Sequence, residues 1–360
     1  MITKKNTKEK SLLFVARNYP PNIGGMEILN YELAKTLKDK VKLRVFANLK
    51  HRYSISFIIK GFFTSLISKE KVILLSDPLL SFYIPFLKLI GKKVIIRING
   101  LDIIGHNIIY QLLIPFLTNF ADVIICISSY TKQECIKRHI NKKKIIVITP
   151  GIKPEKYYLP HMDKKTLFKI IPEAENKVIL LSMGRLIRRK GHYWFIKEVI
   201  PMLDDNIIYI LAGAGPEMEN IKKLVEEKSL QGKVFLLGEI SENTKKILLN
   251  NSDIFILPNI PIEGDMEGFG IVALEASSCG LPVIATGIEG ITDAVIKNKN
   301  GLLVDSYDTK GYINLIKSLL YNKKELNDFR IRARKFASRQ FSWDKIVKRY
   351  LKACFNHDIQ

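Results

Sequence analysis

Cysteine is scarce in this sequence. Its 360 residues hold four, Cys126, Cys135, Cys279 and Cys354, with no Cys-x-x-Cys among them and no metal-type pairing with the six histidines. That argues against a zinc or iron–sulfur centre and for free, structural thiols in a reducing compartment. Long apolar runs are missing as well. Residues 55–67, 79–90 and 108–120 are apolar but are broken by Lys60, by Pro85 and Lys88, and by Pro115. None reaches the roughly 18 to 20 apolar residues of a membrane-spanning helix. The first apolar stretch, residues 12–16, is too short for a signal peptide and reads as a buried strand. A cytoplasmic location is expected, with peripheral contact at the inner face of the cell membrane as its extension. Low-complexity segments and repeats of solenoid length are also absent.

Acidic residues are few. The chain carries 57 Lys and Arg against 35 Asp and Glu, a formal charge of +22. Residues 1–155 hold 26 of those basic residues against 10 acidic ones, or +16, which leaves +6 for residues 156–360. A basic half suits nucleic acid, an anionic membrane or a phosphate-bearing substrate. Nucleic acid is the poorest of the three, because no helix-turn-helix, zinc finger or RNP-type motif is present and the charge is not concentrated in one stretch.

What the sequence has is two series of short apolar runs, each run followed by a helical pattern. The first series is 12–16, 43–47, 72–75, 94–98, 123–127 and 145–148; the second is 178–183, 207–212, 234–237, 254–257, 283–285 and 302–304. Alternation of this kind predicts parallel strands with crossover helices. The fold class expected is α/β, with two Rossmann-like, doubly wound parallel-sheet domains facing across a cleft. The predicted domains are 1–155 and 156–340, followed by an amphipathic helix in 341–360 that carries Trp343, Ile346, Val347, Tyr350 and Leu351 on one face. Open parallel sheets bind ligands beyond the carboxyl ends of their strands, so candidate residues are sought there.

Three segments stand out at such positions. Gly24 and Gly25 follow the first strand and precede a helix, where bare backbone amides and a helix N-terminus suit an anion. Arg185, Arg188, Arg189 and Lys190 crowd six residues after the strand 178–183, and clustered cations suit a diphosphate. Glu267-Gly268-Phe269-Gly270-Ile271 leads into a helix that carries Glu275. Glu267 is read as accepting from sugar hydroxyls, and Glu275 as offering a free carboxylate to vicinal hydroxyls. Two other features are set aside. Gly213-Ala214-Gly215-Pro216 has Met218 where a dinucleotide fingerprint needs its third glycine. Glu263, Asp265 and Glu267 have no histidine near them, so no metal is expected.

In this order the segments resemble the family-four glycosyltransferases, retaining enzymes of GT-B fold. The resemblance also rests on Ser128-Ser129-Tyr130-Thr131, Pro150-Gly151-Ile152, Gly184-Arg185-Leu186 and the seven-residue spacing of Glu267 and Glu275. It implies a metal-independent enzyme with no cofactor and a nucleoside-diphosphate sugar as co-substrate. Gly24 and Gly25 would meet the donor phosphates, Arg185 and Lys190 would neutralise the diphosphate, and Glu267 would hold the transferred sugar. Amides around Gly268, Phe269, Gly270 and Ile271 would lie nearby. Glu275 would take the ribose hydroxyls, and the base would lie against Gly238-Glu239-Ile240. The acceptor would be a glycan or a lipid-linked sugar in envelope polysaccharide or lipopolysaccharide synthesis. On the acceptor side Asn99 stands where the family often has histidine, with Asp102 three residues on. Asparagine cannot hold a proton near neutral pH, so Asn99 is not expected to act as acid or base. A sugar-nucleotide epimerase is the alternative on the same scaffold. Lys50, Arg52, Lys60 and Lys69, interleaved with Tyr53, Ile55, Phe57, Ile58, Ile59, Phe62 and Phe63, are read as a surface for an anionic bilayer.

Overall fold

The structure is a computed structural model that describes residues 10–22, 24–49, 54–105, 107–160 and 162–356. The chain forms two compact units, residues 1–151 with 343–360, and residues 152–342.

In the first unit the strands are β1 (Ser11–Ala16), β2 (Lys42–Ala47), β3 (Val72–Leu75), β4 (Lys93–Ile98), β5 (Val123–Cys126) and β6 (Ile145–Val147). They form one sheet in the order β2-β1-β3-β4-β5-β6, every pair parallel. Central strands such as β3 and β5 are buried along their whole length, which is why their sequences are unbroken apolar runs. The edge strand β2 exposes Lys42 and Arg44 instead, charges that discourage further strand pairing. Local capping sets the helix starts. Ser128 accepts from the amide of Thr131 at 3.1 Å and opens the helix Ser129–Lys137. Asn107 does the same for Ile108–Thr118.

The helix Trp343–Phe355 buries Trp343, Ile346, Val347, Tyr350, Ala353 and Cys354, and packs beside the helix Gly25–Lys38. Gly151 lies under the Trp343 ring, where a Cβ would come within 2.6 Å of the indole. The Sγ atoms of Cys126 and Cys135 are 3.6 Å apart in the core, and all four cysteines are free.

The second unit repeats the plan. Its strands are β7 (Val178–Met183), β8 (Ile207–Ala212), β9 (Val234–Gly238), β10 (Ile254–Leu257), β11 (Val283–Thr286) and β12 (Gly301–Val304). The order is β12-β11-β10-β7-β8-β9, again all parallel. The strand order therefore reverses between β7 and β10, the position at which loops diverge and leave room for a ligand. The fold class follows the expectation, and every strand end lies within one residue of the sequence reading. Among the described residues no helix is long and apolar enough to cross a membrane, and no group of three or more His, Cys, Asp or Glu is placed to hold a metal ion.

Trp343→Ala empties a buried aromatic site, and removals of this type cost about 3–5 kcal/mol. Chemical denaturation is expected to show a loss of that size, with Trp343→Phe recovering most of it.

Candidate active site

The loops after β7, β10 and β11 meet at the reversal of strand order in the second unit, and glycines bring them together. Gly191 ends the turn Arg188–Lys190 with φ +67°, and a Cβ there would stand 1.8 Å from the carbonyl oxygen of Pro258. Only glycine meets both demands. The contact is completed by the amide of Ile260, which donates to the carbonyl of Arg189 at 2.9 Å. Gly213 and Gly215, set aside above as a broken fingerprint, have a packing role. Cβ atoms there would lie 1.8 Å from the Gly184 carbonyl oxygen and 2.3 Å from that of Leu186. These glycines let the loop after β8 lie along Gly184–Leu186 and fix the strand exit that carries Arg185.

The turn Arg188–Lys190 sorts the four cations. Arg185 and Arg188 face solvent, whereas Arg189 and Lys190 are 7% and 8% exposed. Lys190 Nζ and Arg189 Nη1 both donate to Glu267 Oε2, each at 2.5 Å, and Asn259 Nδ2 donates to the same oxygen at 3.2 Å. Arg189 Nε donates to Asp265 Oδ1 at 2.9 Å. Arg189 is thus a second buried cation on Glu267, one that the sequence reading left in the background. Its only signal was membership of the basic cluster. Asp265 and Glu267, weighed above as metal ligands, serve this guanidinium instead.

Glu267 is only 12% exposed at its side chain. Burial alone raises a carboxyl pKa, but the charges of Lys190 and Arg189 and their hydrogen bonds more than reverse this and hold it at about 2. Glu267 is therefore ionised at neutral pH, an acceptor of hydrogen bonds rather than an acid. Beyond it Phe269 is buried, edge-on to Phe341 at 6.1 Å. Gly268 abuts Gly290, whose Cβ would lie 2.1 Å from the Gly268 carbonyl oxygen. Gly270, at φ +81°, opens the helix Ile271–Ser278 without any side-chain cap. The first amides of that helix are left without an intrahelical acceptor, an arrangement suited to an anion.

Glu275 differs from the expectation of a free carboxylate. It is 4% exposed, and its Oε1 accepts from Tyr157 Oη at 2.9 Å and Lys245 Nζ at 2.8 Å. Its Oε2 is buried with no partner among the described residues. With Oε1 committed to these two donors, only one oxygen is left for a ligand. Gly238 closes β9 at φ +64° with open space where its Cβ would be, and Ile240 is half-buried two residues on.

In the first unit, Gly24 and Gly25 begin the helix Gly25–Lys38, but the Glu27 carboxylate lies against Gly24. Asn99 and Asp102 sit in a polar network at the ends of β1, β3 and β4. Arg17 Nη2 pairs with Asp77 Oδ2 at 2.5 Å, and Arg97 donates to Asn30 and, through Nε, to Asn99 Oδ1 at 2.8 Å. Asn99 Nδ2 donates to Asp102 Oδ2 at 2.7 Å. Asn99 so accepts from a cation and donates to an acid, which its amide does without titrating. Burial and the neighbouring Asp77 push the Asp102 carboxyl upward against its bonds from Asn99.

Residues 163–336 match the family of glycosyl transferases group 1. Similar curated sequences include a UDP-Gal:alpha-D-GlcNAc-diphosphoundecaprenol alpha-1,3-galactosyltransferase of Escherichia coli. It is 29% identical over 218 residues, 58% of this chain and 54% of the relative. A GDP-mannose-dependent alpha-(1-6)-phosphatidylinositol monomannoside mannosyltransferase of Mycobacterium tuberculosis is 25% identical over 63% of this chain and 60% of its own length. The chain thus matches less than two thirds of the length of these relatives. Among solved structures, Anabaena HepE in complex with UDP superposes with a TM-score of 0.80 at 18% identity, covering 95% of this chain and 98% of that one. Sucrose-phosphate synthase from Thermosynechococcus elongatus gives 0.75 at 19% identity, covering 95% and 97%. The matched region spans the loops of Arg189, Lys190 and Glu267 and is similar to the group 1 glycosyltransferases, and the chain has the GT-B fold of these solved structures.

Proposed function

We propose that this protein transfers a hexose-type sugar from a nucleoside-diphosphate sugar, with retention at the anomeric carbon, to a glycan or lipid-linked acceptor of the cell envelope. The observation that carries the reading is the pair of cations on Glu267 Oε2, with Arg185 exposed earlier in the same loop and its side chain in no hydrogen bond or ion pair among the described residues. Glu267, kept ionised, accepts from hydroxyls of the transferred sugar. Arg185 and Lys190 face the diphosphate and stabilise the charge that develops as it leaves. The acceptor hydroxyl attacks the anomeric carbon on the face the diphosphate vacates, and a phosphate oxygen takes its proton. Glu275 Oε2, the oxygen without a partner, is the acceptor offered to the ribose. No metal or cofactor is required in this scheme. The relatives named above, which act on diphosphoundecaprenol- and phosphatidylinositol-linked sugars by their names, support an acceptor carried on a lipid.

A peripheral membrane role has its own support in the first unit. The helix Ile55–Ile67 turns Ile55, Ile59, Phe63 and Ile67 to solvent at a spacing of four residues, with Ile55 72% and Ile67 81% exposed. The neighbouring helices Ile84–Leu89 and Ile108–Thr118 expose Phe86, Leu89, Ile108, Leu112 and Phe116 in the same way. Lys60 and Lys69 are exposed beside this apolar surface. The sequence-level set is divided by helix phase. Phe57 is core, stacked on Phe46 at 5.4 Å, and Ile58 and Phe62 pack partly buried against the core. Lys50, Arg52 and Tyr53 lie outside the described residues. Surface basic residues near an anionic leaflet contribute about 1 kcal/mol each, added to the burial of the apolar stripe.

Four outcomes follow. Arg185→Ala is expected to lower turnover by about 10²–10³-fold with unchanged stability, since this side chain is exposed. Lys190→Ala should lose turnover as severely and stability as well, by about 3–5 kcal/mol, because it strips a buried charge of a partner. Turnover within a few-fold of wild type in Arg185→Ala contradicts the assignment. Proton NMR of the freshly formed product is expected to show the anomer of the donor; the opposite anomer contradicts retention. Finally, sedimentation with phosphatidylglycerol vesicles at low salt is expected to retain the protein, and Ile59→Asp with Phe63→Asp to release it. Equal recovery with and without those changes, or no binding, overturns membrane docking.

A further inference from the structure

The loop after β11 holds both main-chain polar groups of Glu267. Glu289 Oε2 accepts from the Glu267 amide, and the Gly290 amide donates to the Glu267 carbonyl at 3.1 Å. Gly290 reaches this position because it has no Cβ to strike Gly268. Glu289 itself adopts φ +49°, left-handed backbone that a residue with a Cβ takes only when its surroundings impose it. Glycines at 287 and 290 flank it, so the side chain at 289 is the one that the turn keeps at a conformational cost.

Charge around Glu289 is unevenly matched. The groups facing it are Glu267 and Asp265 from the loop after β10, and Arg189 from the loop after β7. Arg189 is already bonded to Asp265 and to Glu267, and Lys190 to Glu267. Of the three carboxylates, only Glu289 has no cation bonded to it among the described residues. Its half-buried state and the charges of Glu267 and Asp265 raise its carboxyl to about 7, against the Glu267 amide and Arg189.

We propose that Glu289 is a specificity-determining residue of the donor site, fixing the main chain of Glu267 and placing an uncompensated negative charge beside the transferred sugar, so that a neutral sugar is taken and a sugar bearing a carboxylate is rejected. The inference rests on the reading of Glu267 as the sugar-holding residue. It selects by repulsion, since like charges near a largely buried site disfavour the wrong ligand more strongly than they would in water. Protonating Glu289 removes the charge and weakens the selection, so discrimination rises with pH through about 7.

Calorimetry with UDP-glucose against UDP-glucuronate, and GDP-mannose against GDP-mannuronate, at pH 6 and pH 8 tests this, with UDP, GDP and ADP run alongside. Wild-type protein is expected to bind the neutral member of the pair at least tenfold more tightly at pH 8, with the gap narrowing several-fold at pH 6. In Glu289→Gln the gap should be small and independent of pH. A uronate bound as tightly as its neutral partner, or a gap that survives in Glu289→Gln, overturns the inference. If none of the three diphosphates binds, the donor-site reading fails and this inference falls with it. A second readout needs no nucleotide. The folded-state value lies above the ordinary 4.5, so the stabilisation from a protonated Glu289 is full below about 4.5 and is lost as pH rises through 7. The melting temperature of Glu289→Gln relative to wild type is therefore expected to rise between pH 5 and pH 8. A constant difference contradicts the charge state assigned to Glu289, and the inference with it.

Discussion

A carboxylate removed from water stays ionised only when positive charge and hydrogen bonds are brought to it, and in the second unit Glu267 imposes that requirement on its surroundings. Lys190 and Arg189 answer it from one loop and Asn259 from another, all on the same oxygen. Neither loop reaches that oxygen by chance. Gly191 must accept the Pro258 carbonyl against its α-carbon, Gly213 and Gly215 must lie on the backbone of Gly184 and Leu186, and Gly290 must press on Gly268. Replacing any of these with a larger residue moves a loop, and a moved loop leaves a buried charge without its partner. The glycines and the ion cluster are thus one device: backbone approach sets the distances, and charge makes the distances matter.

The first unit solves a similar problem with asparagines interposed between its charges. At the ends of β1, β3 and β4 the guanidinium groups of Arg17 and Arg97 meet Asp77, Asn30 and Asn99, and Asn99 passes the chain of hydrogen bonds to Asp102. An asparagine can join a cation to an acid in this way because its amide has both a donor and an acceptor and no charge of its own. A network built so is fixed in hydrogen-bond direction. Asn99 has no proton to give up, and the titrating group is Asp102.

Much of this architecture was legible in the sequence. All twelve strands were, most of them because parallel strands covered on both faces must be apolar throughout and their runs stop where the cover stops, while the edge strand β2 kept only a broken apolar run. The position of Glu267 after β10 and of the basic cluster after β7 followed from the same reading. What the sequence could not show is which members of a cluster turn inward. One short turn sends Arg188 to solvent and Arg189 to Glu267, and nothing in Arg-Arg-Lys distinguishes them. Glu275 was read as free because its partners, Tyr157 and Lys245, are distant in sequence. Phe57 was grouped with Ile59 and Phe63 by composition, whereas helix phase puts it on the opposite face. Glu289 gave no signal at all, since its role depends on a left-handed turn and on a main-chain amide from another loop. In each case the missing information is a contact between segments far apart in the chain.

The central claim is that the loops around Glu267 form a site for a nucleoside diphosphate sugar. Thermal-shift binding of the purified protein to UDP, GDP, ADP, their monophosphates and NAD tests it most directly. The account predicts clear stabilisation by one diphosphate, weaker stabilisation by its monophosphate and none by NAD. No response to any nucleotide, or a response to NAD alone, would contradict it.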